Sequence, residues 1–199
     1  MAARVEAVRR AIDPLLPGVY PAGAAADRRI AVALSEFPSR QSGYDRVVRE
    51  FPAALTSAVA RFRGTFPGFV SPLPIYLYHS LGTRDGGSDV VEPGHRPIML
   101  FGADMIAQLH ADDSLQPFMD HELFHLEHAR AFPDCDQFWC AMWQEGLAVA
   151  AAAAMTQKAT FSVLRGHPNS GRLFMSTEMA SPGAHALLPT GLLTMDGET

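Results

Sequence analysis

His121-Glu122-Leu123-Phe124-His125 is followed, twenty residues past its second histidine, by Glu145 within Trp143-Gln144-Glu145-Gly146-Leu147-Ala148. Residues at i and i+4 share one face of a helix, so this HExxH spacing predicts two imidazoles able to hold one metal ion. Glu122 sits one position round from His121, where a carboxylate can take a proton from water instead of binding the ion. Glu145 supplies the third protein ligand that a bare HExxH lacks. Two histidines, a carboxylate and one open position describe a catalytic zinc site. The expected cofactor is therefore Zn2+, and the expected chemistry is zinc-dependent hydrolysis, most simply of peptide bonds in a peptide or protein substrate.

With its glutamate inside an E-G-L-A helix, this pattern resembles the gluzincin group of metallopeptidases. More narrowly, it is similar to small bacterial families of predicted zinc proteases in which HE-x-x-H precedes W-x-E-G-L-A. The close match covers about residues 97 to 155. The resemblance implies an α+β, zincin-like fold, rich in helix, with a small mixed sheet packed on the HExxH helix. It also implies that His121, His125 and Glu145 bind zinc and that Glu122 activates water. Many gluzincins carry an aspartate four residues after the glutamate ligand, orienting the first histidine; here that position is Val149.

Other residues compete for roles near the motif. His128 lies seven positions past His121 and nearly on its face, as a ligand, a supporting group or a solvated histidine; the last two are preferred. A metzincin extension would need glycine at 128 and histidine at 131, where the chain has His128 and Ala131. Asp136, eleven residues past His125, has aspzincin-like spacing, but its surroundings do not otherwise resemble that group. Glu145 has apolar neighbours in Trp143, Leu147, Ala148 and Val149, and burying an unpaired carboxylate is costly. A metal answers that cost. A purely structural zinc would have no use for Glu122.

A chain of 199 residues with 48% hydrophobic and 19% charged residues suits a single domain with a substantial core. The expectation is one catalytic domain over 1–199, with an α/β part to about 132 carrying HExxH and a small part from 133 carrying the glutamate. The net charge of −5 lacks long like-charge runs, so nothing points to nucleic acid. No apolar run is long enough for a membrane span. Met1 to Pro17 is amphipathic and broken by Pro14, without the pattern of a secretory signal; cytoplasmic residence and export with a removed leader both stay open. Cys135 and Cys140, five apart on an expected helix, point to different faces and predict two free thiols.

Along the chain, residues 4–13 read as a helix and 18–26 as a loop. Residues 27–36 are ambiguous, because Ile30, Val32 and Leu34 alternate as in a strand while the alanines suit a helix. Residues 44–63 read as a helix kinked at Pro52. A strand is expected over 73–79, a long exposed loop over 82–94 and a strand over 97–101. Arg96 to Gly102 is the candidate edge strand for pairing with an extended substrate, with an interior strand as the alternative. A short helix follows over 103–110. The HExxH helix, capped by Asp113 or Ser114 with Pro117 in its first turn, ends before Pro133. A helix over about 135–155 carries Glu145, and close approach of the two helices would explain Gly146, with a tolerated helix glycine as the alternative.

The tetrahedral oxyanion of peptide hydrolysis needs a donor beyond the metal. No tyrosine follows Tyr78, leaving His167, His185, Arg165 and Arg172 downstream, or Tyr76 and Tyr78 from the sheet. Only 54 residues follow Glu145 (199 minus 145), which predicts a reduced second lobe. That reduction raises an alternative reading: a zinc-binding protein of zincin fold that acts as a binding module with little or no proteolysis.

Overall fold

The computed structural model describes residues 1–20, 22–91, 96–110, 114–132 and 135–156. Among these the order is α1 (Ala2–Ile12), α2 (Ala24–Thr65), β1 (Ile75–Tyr78), β2 (Ser88–Val91), β3 (Arg96–Gly102), α3 (Ala103–Leu109), α4 (Gln116–Ala131) and α5 (Phe138–Thr156). The class is α+β, helix-rich, with one small mixed sheet. The chain divides into two units, the boundary in α2 falling between Glu50 and Phe51.

The first unit comprises residues 1–50 and 73–111. Its sheet has the order β1-β3-β2, with β1 parallel and β2 antiparallel to β3. Ile98, Met99, Leu100 and Phe101 are all at most 2% exposed, as expected of a strand covered on both faces. Arg96 to Gly102 is thus the central strand, not an edge. Both rows of its backbone groups face neighbouring strands, which leaves no free row for an added peptide. The expected exposed loop after Gly82 contains β2, whose Ser88 and Asp89 face Met99 and Ile98 across the ladder. Gly102 ends β3 where an added Cβ would collide with the Arg84 carbonyl and the Ser80 side chain, so the close approach requires glycine.

Helix α2 runs unbroken for 42 residues through Pro38 and Pro52. The strand-like alternation at 30–34 does not sort inside from outside: Ile30 is buried, Leu34 packs partly against the core and Val32 is 52% exposed. Helical spacing governs instead, with Val47, Phe51, Ala58 and Phe62 buried at intervals of four, seven and four. The first unit's core gathers Val5, Leu16, Tyr20, Ile30, Tyr78, Ile98 and Leu100. Tyr20 donates its hydroxyl to the His79 carbonyl, and burial, reinforced by Tyr78 and Asp104, pushes that phenol well above its ordinary range.

The second unit comprises residues 51–72 and the described residues from 114 onward. Phe62 packs against Phe66 and Phe69 with ring centroids 4.6 Å apart in both pairs, and Phe66 reaches Phe124 of α4 at 6.1 Å. Helix α5 packs on α4 through a buried stripe of Cys140, Glu145, Ala148 and Ala152. The alanines keep that face shallow and let the helices come close. Cys135 and Cys140 form a disulfide, which overturns the expectation of two thiols. The reason is the helix boundary: α5 starts at Phe138, so Cys135 is off the helix and the Cα atoms lie 6.1 Å apart, within bonding range.

Candidate metal centre

Helix α4 begins with backbone and side chain in concert. The Gln116 N–H donates to Ser114 Oγ (3.2 Å), and Pro117 falls in the first turn, where its missing N–H costs nothing. Ser114 thus supports the start from just outside, while Asp113 lies outside the described residues. The helix stops at Phe132, whose φ of −117° and ψ of 135° are extended. Pro133 in the sequence disfavours helical geometry at the residue before it.

The two imidazoles project from adjacent turns of α4, their ring centroids 4.7 Å apart. Their Nε2 atoms face each other at 3.0 Å. Glu145 reaches them from α5: one carboxylate oxygen lies 3.0 Å from His121 Nε2 and the other 3.1 Å from His125 Nε2. The three side chains are largely buried, Glu145 most of all at 8% side-chain exposure. Among the described residues this is the group of histidine, cysteine and acidic side chains arranged to hold a metal ion.

The donor set fits zinc. Ligands bonded at about 2.0–2.1 Å to a tetrahedral centre lie about 3.3 Å from one another. The observed separations of 3.0 to 3.1 Å approach that value. Two imidazole nitrogens and one carboxylate also match the metal's chemistry. Glu122 is 7% exposed on the same helix, its carboxylate outside this donor set.

Asp120, immediately before His121, escaped the sequence reading. It is fully buried and gripped by the Arg61 guanidinium, with contacts of 3.1 to 3.3 Å to both carboxylate oxygens. Burial raises its pKa, and the hydrogen bonds and charge of Arg61 pull it back. The pair ties α2 to the turn of α4 that carries His121, and Arg61 also donates to Ser57 Oγ (3.0 Å). An aspartate directly after Phe118-Met119 was the available signal, since a carboxylate there must find a partner.

The structure chooses among the alternatives for His128 and Asp136 and corrects the expectation for Gly146. His128 is neither a solvated histidine nor part of the donor set: it is 6% exposed and stacks on Phe132, centroids 4.2 Å apart. Its buried Nε2 has no hydrogen-bond partner. Burial chiefly, and His125 secondarily, lower its pKa. Asp136 is exposed and lies outside the cluster. Gly146 is exposed, and an added Cβ there would meet nothing within 4 Å. It lies 100° round the helix from Glu145, off the buried stripe of α5. Gly146→Ala should therefore leave metal content unchanged and stabilise the protein by about 0.5–1 kcal/mol in urea denaturation.

Of the oxyanion candidates, Arg165, His167, Arg172 and His185 lie outside the described residues. Tyr78 is a core residue of the first unit, stacked near Tyr20 at 6.2 Å, while Tyr76 is 37% exposed. No protein-family model, curated protein or solved structure matches this chain.

Proposed function

We propose that the protein is a zinc-dependent hydrolase, and specifically a metallopeptidase of gluzincin type. The observation that carries this reading is the convergence of Glu145 on the paired Nε2 atoms of His121 and His125 within 3.1 Å, on a helix whose next residue after His121 is the buried Glu122. A zinc ion there would lower the pKa of a bound water from about 15.7 towards about 7 and polarise the scissile carbonyl. His121 and His125 would hold it through Nε2, and Glu145 through its carboxylate. Glu122 would accept the proton of the attacking water and return it to the departing amine. The zincin-like fold belongs to the same proposal. It draws support from the α4–α5 pairing and from the small mixed sheet that precedes α4 in the chain.

The test is a metal analysis of the purified chain, followed by incubation with a broad library of unstructured peptides. The expected result is one zinc per chain and weak cleavage of short or flexible peptides. Cleavage should stop on chelation and return when zinc is added back. Zinc at full stoichiometry with no cleavage of any library member would replace the peptidase reading by the binding-module reading. Cleavage that survives complete zinc removal would overturn both.

A further inference from the structure

A second site lies wholly within the first unit. The N-terminal half of α2, the turn after β1 and helix α3 enclose a cleft of about 850 Å³, within the usual size range of small-molecule pockets. Its carboxylates are already engaged. Glu36 pairs with Arg40 at 3.1 Å. Asp104 accepts the backbone N–H of Ser80 (2.6 Å) and of Gly82 (2.8 Å). Arg28 and Arg29 also line the cleft. Among the described residues neither makes a hydrogen bond or an ion pair, so they are its uncompensated charges in a chain of net charge −5.

The walls between these charges are apolar. Val32, one turn beyond Arg28, is 52% exposed and faces the cleft with Phe37 and Leu81. Leu81 is held at φ 58°, the one non-glycine residue with positive φ among those described, and Gly82 follows at φ 74°. A left-handed leucine is strained, and such strain persists where the surroundings over-determine it, often at ligand sites. Here the two left-handed residues turn the Ser80 and Gly82 amides onto Asp104, which locks Leu81 into the wall.

We infer that this cleft binds a small molecule with an oxyanion head and an apolar body. The head sits on Arg28 and Arg29, whose planar donors match carboxylate or phosphate oxygens. The body lies along Val32, Phe37 and Leu81. A cationic head would meet two unpaired guanidiniums and is excluded by charge. The cleft is independent of the His121–His125–Glu145 centre.

The full chain should be titrated calorimetrically with decanoate, decyl phosphate and decyltrimethylammonium, which share one chain length and differ in the head. At least one anion should bind saturably at one site per chain, unchanged by a zinc chelator, and the cation should not bind. Tighter binding of decanoate assigns the head to carboxylate, tighter binding of decyl phosphate assigns it to phosphate, and parity supports the shared oxyanion chemistry. Arg28→Ala combined with Arg29→Ala should weaken binding by at least about tenfold. Both positions are exposed on a helix, where alanine is well tolerated. Val32→Glu, with unchanged circular dichroism, should abolish binding by placing a carboxylate against the head and body. Failure of both anions to bind, equal binding of the cation, or wild-type affinity in the arginine double variant would overturn the proposal. Loss of binding on chelation would overturn its independence from the metal centre.

Discussion

Glu122→Gln should retain zinc at wild-type stoichiometry while hydrolysis of any peptide the wild type cleaves falls by about 10²- to 10⁴-fold, the usual contribution of a positioned general base. The amide has nearly the shape of the carboxylate but cannot accept the water's proton. Glu122 lies on α4 between the two histidines and is 7% exposed, while the group that could hold a metal does not include it. Removing its basicity should therefore cost catalysis without costing the metal. Metal content and initial cleavage rates, measured on the same preparation, separate these effects. Full activity in this variant would place the base elsewhere. Zinc lost together with activity would make Glu122 a ligand or a structural support.

Glu145→Ala should lose zinc and with it a large share of folding stability. A ligand that binds only the native state at about a thousand times its dissociation constant stabilises by about 4 kcal/mol, and metal binding at such sites is coupled to folding. Thermal unfolding with and without a chelator gives the decisive comparison. The wild type should lose stability on chelation, whereas Glu145→Ala should start low and not respond. If the cluster is instead a metal-free network of imidazole and carboxylate, chelation will leave the wild type unmoved and the variant will be destabilised equally in both buffers. His121→Ala should repeat the Glu145→Ala pattern, because the two donors stand 3.0 Å apart at the same centre.

The two-histidine geometry was legible because it depends on one local rule: four residues of helix return a side chain to the same face. The burial of Glu145 was legible from its apolar neighbours, and the structure bears it out at 8% side-chain exposure. Features set by distant partners were not. Strand β2 is hidden among glycines and aspartates, and it exists because β3 offers a ladder to Ser88–Val91. The alternation of Ile30, Val32 and Leu34 leaves 27–36 ambiguous and Pro52 disfavours helix locally, yet α2 is one helix of 42 residues through both stretches. Burial of Val47, Phe51, Ala58 and Phe62 along one face outweighs that preference.

A boundary shift of three residues accounts for the disulfide. With Cys135 ahead of α5 rather than within it, its Cα lies 6.1 Å from that of Cys140 and the sulfurs can bond. Position on a helix face likewise could not tell whether His128 met water, metal or aromatic rings, since the answer lay with Phe132 and Phe124. By itself the amino-acid order determined the helical register of His121, Glu122 and His125 and the apolar setting of Glu145, because both follow from near neighbours along the chain. Only the tertiary structure decided that α5 brings Glu145 within 3.1 Å of both imidazoles, that Arg61 holds Asp120 one residue before His121 and that β3 is an interior strand. Those outcomes depend on which distant surfaces pack together, and burial free energy summed over many residues, not the propensity of any one segment, selects them.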